Sequence, residues 1–374
     1  MSQPTQRFLS LDVFRGLTVA GMILVNNPGS WSYVYTPLKH AHWHGCTPTD
    51  LVFPFFLFAV GNAMSFAMKK YETQGHQVAL RKILKRTLLI FLIGLVLNWF
   101  PFFKWEGEQL VVKPLSQLRI LGVLPRIALC YGIGALIIHF AGERRAFFIA
   151  GCILLVYWWI LLAFGQNDPY SLEGYAGLRL DKWLLGPQHM YRGEGVPFDP
   201  EGILSTLPAV CNVIFGYIAG SYIQQKGKDF PMLCGLLISG CLLVFAALCW
   251  DLVFPINKKI WTSSYVLYTV GIALLLLAIL MYAIEFRGWK RTAGFFEVYG
   301  KNPLFIYVMS GVLVKLYFLV RTGPNQNLYG WLYEHIFRPI GGNYPGSLLF
   351  ALFHVGLFGL LGWWMDKRKI YIRV

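Results

Sequence analysis

The sequence predicts an all-α polytopic integral membrane protein: about ten transmembrane helices in one domain over residues 1–374, with both termini cytoplasmic. Three observations predict it. Of the 374 residues, 56% are hydrophobic and only 14% charged, against about 25% charged in a soluble domain. That deficit runs the whole length, so no separate soluble domain is expected. The segments between apolar runs also alternate between basic-rich and basic-poor, as cytoplasmic and outer loops do.

Ten apolar segments approach the length a span needs: roughly 11–30, 48–68, 86–103, 116–140, 146–165, 201–224, 231–251, 261–285, 294–320 and 346–365. The basic connections are "KKYETQGHQVALRKILKR", "GERR", "QQKGKD", "EFRGWKR" and the tail "DKRKIYIR". They are assigned to the cytoplasm and the longer loops, about 31–47, 166–200 and 321–345, to the outer side. The net charge of +15 is therefore read as topology, and no nucleic-acid partner is expected. Cys130, Cys152, Cys211, Cys234, Cys241 and Cys249 lie in apolar runs without paired metal-type spacing, and are read as packing residues. The start of the chain has no cleavable signal pattern, so its first apolar segment is expected to be retained. "GYIAG" at 216–220 is a small-xxx-small pattern of close helix packing.

The first outer loop runs into the second span as "LKHAHWHGCTPTDLVFPFF", with His40, His42 and His44 at alternate positions, then Cys46 and Asp50. A zinc site, a general base and ordinary interfacial histidines all remain open on this pattern. As a base, one neutral imidazole would take a proton from an attacking amine or hydroxyl, with Asp50, at the start of the next helix, orienting it.

Charges inside spans are costly and point to function. Asp12 and Arg15 stand three apart on the first span, as a salt bridge or as an anion site. The same span ends in "VNNPGS", where Asn26 and Asn27 precede a helix break. In "SQLRILGVLPRIALCYG", Arg119 and Arg126 are seven apart with Pro125 between. On one helix they would share a face and suit a phosphate or carboxylate, or else pair with an acid such as Asp50 or Glu297. Pro125, taken as mid-span, would free a backbone carbonyl. Asp199 and Glu201 in "FDPEGILSTLP" read as a helix start. Lys301, Asn302 and Pro303 form a second polar break. Together these residues suggest a polar path across the membrane.

"RFLSLDVFRG", "MILVNNPG", "KHAHWHGCTPTDLVFPFFLFAVG", "LRILGVLPRIALCYG", "FDPEGILSTLPA" and "GKNPLFIYV" resemble the heparan-α-glucosaminide N-acetyltransferase family, in a short bacterial form. The resemblance runs from about residue 7 to 366 and is most specific over 7–61. It implies a transmembrane enzyme of the inner membrane that takes acetyl from cytosolic acetyl-CoA and passes it to the amine of a terminal glucosamine, as in heparan sulfate breakdown. It also implies a homodimer, and no metal is expected. His40 matches the family's active-site histidine, and Asn26, Asp50, Arg119 and Arg126 match its motif positions. On that basis His40 is expected to be the base, Asp50 to hold it, and Asn26 to donate to the oxyanion. Arg15, Arg119, Arg126, Lys301 and Asn302 would hold the CoA. The amino sugar, or a glycosaminoglycan-derived acceptor, would lie in an outer pocket with Trp43, His44, Asp199 and Glu201. The rival readings are a proton- or anion-coupled transporter and an O-acyltransferase acting on cell-wall or lipid sugars.

Overall fold

The computed structural model describes residues 8–372 except 73, 292 and 325. Residues 1–7 and 373–374, the termini themselves, lie outside the described residues. The chain is a helical bundle. Its elements are α1 (Leu9–Asn26), α2 (Pro48–Glu72), α3 (His76–Trp99), a ribbon of β1 (Phe103–Glu106) and β2 (Gln109–Val112), α4 (Val123–Phe164), α5 (Ala176–Leu184), α6 (Ile203–Lys226), α7 (Phe230–Asp251) and α8 (Ser263–Met281). Then come α9 (Ala293–Lys301), α10 (Pro303–Leu319), a ribbon of β3 (Arg321–Gly323) and β4 (Gln326–Asn327), α11 (Leu328–Leu332), α12 (Arg338–Gly341) and α13 (Asn343–Lys367). Both ribbons are antiparallel.

Among the described residues, seven helices are long and apolar enough to cross a membrane, or eight if α9 and α10 count as one bent span. A count of ten requires α3, with its basic first turns, as a further span and α4 divided in two. That division is physical. At 1.5 Å per residue, the 42 residues of α4 would reach about 63 Å, twice the hydrocarbon thickness. The helix breaks at Gly142, whose φ of 76° and ψ of 168° leave the helical region; the basic "GERR" stands at this corner. The break expected at Asn302 is an 86° bend between α9 and α10.

Glycines set the closest crossings. A Cβ on Gly61 would stand 1.9 Å from the Val213 carbonyl oxygen, and one on Gly216 would stand 2.1 Å from that of Phe58. The small-xxx-small segment therefore seats α6 against α2 backbone to backbone. Gly16 and Gly300 do the same for α1 and α9. Large apolar side chains such as Phe245, Leu242, Trp159 and Phe148 cover the outward faces of α7 and α4, as lipid contact requires. Of the cysteines, Cys130 and Cys211 are buried, whereas Cys152, Cys234, Cys241 and Cys249 are exposed on helix exteriors. Those four are surface residues rather than interior packing.

Candidate active site

Two polar clusters occupy opposite ends of the bundle. The first is built on the connection from α1 to α2. Helix α1 stops at Asn26, and Asn27 turns its amide back to the Ile23 carbonyl at 2.8 Å. The chain is then tied down by Tyr329, which donates to the Pro28 carbonyl at 2.6 Å, and by Gly29, which donates to the Ser347 carbonyl at 3.1 Å. Asn26 itself is exposed.

Helix α2 opens with "TPTD". Pro48 takes the first helical position, where no N–H is needed. Asp50, two residues on, accepts the Thr47 N–H at 3.0 Å, one half of a capping box. The carboxylate is 1% exposed and surrounded by donors. Oδ2 accepts from the Ala41 N–H and Thr47 Oγ1, both at 3.0 Å. Oδ1 lies 2.6 Å from His40 Nδ1 and 3.3 Å from Lys258 Nζ. Below it, Tyr265 donates to the Asp50 carbonyl at 2.6 Å.

Lys258 Nζ also stands 2.9 Å from His40 Nδ1. A ring nitrogen cannot donate to Asp50 and accept from Lys258 at once. Charge decides between them: a bond to a carboxylate is the stronger, so Nδ1 carries the proton and Lys258 acts on Asp50. The proton-accepting nitrogen is then Nε2, on an imidazole 43% exposed. Burial pulls the Lys258 ammonium below its ordinary range, and Asp50 opposes this.

Lys258 is carried by the turn between α7 and α8. Asn257 accepts from the Ile260 N–H at 3.1 Å, and its own N–H donates to Thr262 Oγ1 at 3.0 Å. Gly45 donates to the Ile256 carbonyl at 2.7 Å, so this turn and the histidine loop are tied together. Sequence reasoning missed Lys258. The only signal was a Lys-Lys pair, "INKKIW", in a connection on the basic-poor side.

The other residues of the loop serve as its frame. Trp43 donates through Nε1 to the Tyr170 carbonyl at 2.7 Å and packs against Phe198. His44 meets the Asn257 amide at 3.4 Å, and His42 is exposed. Burial and the neighbouring Asp50 push the Cys46 thiol up to about 12, which keeps it protonated. Among the described residues no group of three or more histidine, cysteine or acidic side chains is placed to hold a metal ion.

Arg119 and Arg126 depart from expectation. Helix α4 begins only at Val123, after Gly122 with φ 141°, so Arg119 precedes the helix and the shared-face argument does not apply. Pro125 stands in the first turn, where it frees no carbonyl. The Arg119 guanidinium is engaged by acids: Nε and Nη2 meet the two Asp199 oxygens at 2.9 and 2.7 Å, and Nη2 meets Glu201 at 2.6 Å. Arg119, expected at the CoA, and Asp199 and Glu201, expected at the sugar, thus satisfy one another. Arg126 is fully buried. It donates to Ser205 and, at 3.0 Å, to the Gly202 carbonyl. Its guanidinium lies 5.0 Å from the Trp261 ring, while Nε and Nη1 have no partner among the described residues.

Asp199 and Glu201 do not cap α6. Asp181 does, accepting the Ile203 N–H at 2.9 Å from α5. Its side chain is fully buried, and burial, with Asp199 near, pushes the carboxyl up to about 7. The folded state therefore holds this proton up to near pH 7, whereas an unfolded chain releases it near pH 4. Stability from this group should fall as pH rises through that window, by about 1.4 kcal/mol per pH unit at most. Asp181→Asn should flatten the decline in apparent melting temperature between pH 5 and pH 8. Parallel curves for the two proteins would contradict this.

The second cluster lies at the opposite end. Arg15 donates to the Gly300 carbonyl at 2.9 Å and stands 3.6 Å from Asp12. Lys301 bridges Glu297 and Asp366, both at 2.9 Å. Asn302 donates to the Ile370 carbonyl at 2.9 Å and accepts the Ile372 N–H at 2.8 Å. Lys301 and Asn302 thus fasten the segment after α13. The structure brings together His40, Asp50 and Lys258, with Arg119 and Arg126 at the same end; it does not bring Arg15, Lys301 or Asn302 to them.

Comparison with known proteins agrees with the sequence motifs. The family model "Heparan-alpha-glucosaminide N-acetyltransferase, catalytic" matches residues 7–235, which include Asn26, His40, Asp50, Arg119, Arg126, Asp199 and Glu201. Lys258 lies beyond that match. A human protein named heparan-alpha-glucosaminide N-acetyltransferase is 28% identical over 361 residues, covering 81% of this chain and 52% of the relative. The mouse protein of the same name is 28% identical over 365 residues, covering 82% and 54%. The chain spans about half the length of these relatives. With more than half of its residues matched by the family model, the chain belongs to the heparan-alpha-glucosaminide N-acetyltransferase catalytic family.

Proposed function

We propose that the protein is an acetyl-CoA-dependent transmembrane N-acetyltransferase acting on the amine of a glucosamine sugar, with His40 as general base. The observation that carries this reading is the 2.6 Å contact of His40 Nδ1 with the buried Asp50 carboxylate. It fixes the tautomer and leaves Nε2 as acceptor on a half-exposed ring. Lys258 balances the Asp50 charge, so the site need not protonate the imidazole to be neutral.

In this mechanism the neutral amine attacks the thioester carbonyl carbon. The N–C bond forms, and electrons pass to the carbonyl oxygen, for which the exposed Asn26 amide is the proposed donor. Nε2 takes the amine proton. The tetrahedral intermediate collapses, the C–S bond breaks, and the thiolate leaves and recovers a proton from the imidazolium. A relay in which Nε2 is acetylated first uses the same residues. The nucleotide end of CoA is proposed to approach the opposite end of the bundle, where Arg15 and Lys301 lie. Because Lys301 is already paired with Glu297 and Asp366, phosphate there competes with those carboxylates. The proposed setting is the cytoplasmic membrane, with His40 on the outer side and a homodimeric assembly.

The test is to incubate the purified protein with acetyl-CoA and either glucosamine or glucose. The reading expects free CoA thiol and N-acetylglucosamine in equal amounts, and none with glucose. Acetylation of the hydroxyl sugar at an equal rate would favour an O-acyltransferase, and no thiol release with either would sink the transferase reading.

A further inference from the structure

A cavity apart from His40 lies between the β1–β2 ribbon, the end of α10 and the β3–β4 ribbon. Its volume is about 500 Å³, and its lining includes Lys104, Lys113, Lys315 and Arg321 with Trp105 and Phe318. Helix α3 ends beside it at Trp99 and α10 at Leu319. Asn98, next to last in α3, donates to the Arg119 and Leu121 carbonyls at 3.0 and 2.9 Å, which sets the cavity at the Arg119 end of the bundle. No Asp or Glu lines it among the described residues.

Like charges sharing one cavity repel each other unless an anion joins them. Among the described residues, Lys104 alone of the four cations has a carboxylate partner, Glu106 at 2.6 Å. Lys315 turns to main-chain carbonyls, donating to Leu97 and, at 3.3 Å, to Phe100. Arg321 covers the Trp105 ring at 4.2 Å, and Trp105 is held by its indole N–H on the Leu319 carbonyl at 2.8 Å. Burial and Lys104 hold the Lys113 ammonium below its ordinary range.

The surroundings of this charge are apolar and uncovered. Phe103 pairs with Val112 across the ribbon and Trp105 with Leu110, so the four share a face, and Phe103, Leu110 and Val112 are exposed. Leu88, Leu92 and Val96, four apart on α3, are exposed as well, and so are Leu316 and Phe318 on α10. Beside the ends of two membrane helices, such side chains are covered by acyl chains. Unneutralised cations and lipid-facing surface thus adjoin, as headgroup and chain do in a phospholipid.

We propose that this cavity holds the headgroup of an anionic phospholipid, its phosphate among Lys113, Lys315 and Arg321 and its acyl chain along the exposed face of α3 and α10. The lining decides the class. A soluble anion would use the cations and leave the apolar surface bare. A zwitterionic lipid would bring an ammonium into a cavity that offers it no acid. Gln326 and Asn327 on the wall offer amides to headgroup hydroxyls, and the volume falls in the range of specific small-ligand sites, about 300–1,000 Å³. The assignment does not need the transfer reaction.

The test places the whole protein in phosphatidylcholine nanodiscs doped with phosphatidylglycerol, then counts the lipid retained in detergent by native mass spectrometry. Lys113→Gln/Arg321→Gln removes two cations outside the transfer machinery, and Lys113→Arg/Arg321→Lys preserves their charge. The expected result is retention of phosphatidylglycerol over phosphatidylcholine, lowered about tenfold or more in the Gln pair and kept in the charge-preserving pair. Melting temperatures should be equal in pure phosphatidylcholine and rise with phosphatidylglycerol only in the proteins that retain it. If the Gln pair melts early in phosphatidylcholine alone, Lys113→Gln carries the same comparison. Excess glycerol 1-phosphate, which lacks the chain, should leave the lipid in place. Equal retention in wild type and the Gln pair would overturn the proposal, as would no preference for phosphatidylglycerol. Displacement of the lipid by glycerol 1-phosphate would overturn it too, and would assign the cavity to soluble phosphates.

Discussion

Asp50→Asn should lower kcat about 10²–10⁴-fold while leaving the protein folded. The substitution keeps the shape of the side chain and an oxygen for the Ala41 and Thr47 donors. It replaces the charge that receives the Nδ1 proton with a group that can itself donate. The ring then carries its proton on Nε2, the wrong nitrogen to accept one from an amine, as in any triad whose orienting acid is amidated. Lys258 loses its counter-charge in the same variant and sits beside His40 as an uncompensated cation. Acceptor KM should move little, because Asp50 is buried and its carboxylate meets, among the described residues, His40, Lys258 and backbone or hydroxyl groups of the loop. Wild-type kcat in Asp50→Asn would mean that the His40–Asp50 contact is structural.

Arg119→Met should cost about 3–5 kcal/mol of stability. Asp199, whose side chain has no exposure, would be left as a buried charge without its cation, and Glu201, 14% exposed, would lose the same partner. The pair also ties the segment before α4 to the segment before α6, so the loss should loosen the end of the bundle that carries the histidine loop. A sharply lower apparent melting temperature is expected. Recovery is expected when Asp199→Leu and Glu201→Gln are added, because the buried charge is then gone. An unchanged melting temperature for Arg119→Met alone would show that the cluster is open to water.

These two clusters show what the sequence could and could not convey. The His40–Asp50 pair was legible because its members lie ten residues apart and "TPTD" marks a helix start, which places the carboxylate at a fixed point beside a short loop. The breaks at Asn26–Pro28 and at Asn302–Pro303 were legible because polar residues and proline interrupt apolar runs. Arg119 was misplaced because periodicity assumes a continuous helix, and Gly122 delays α4 until Val123. Its acids are 80 and 82 positions away, and Lys258 is 218 positions from His40. Pairings of that range depend on how helices stack, which local pattern does not encode.

The most direct measurement is single-turnover acetyl transfer to labelled glucosamine by wild type and His40→Ala, each checked for folding in detergent. The account predicts a loss of about 10²–10⁴-fold in the variant, partly restored by added imidazole, which can occupy the vacated space and take the amine proton. Transfer at the wild-type rate without imidazole would contradict it.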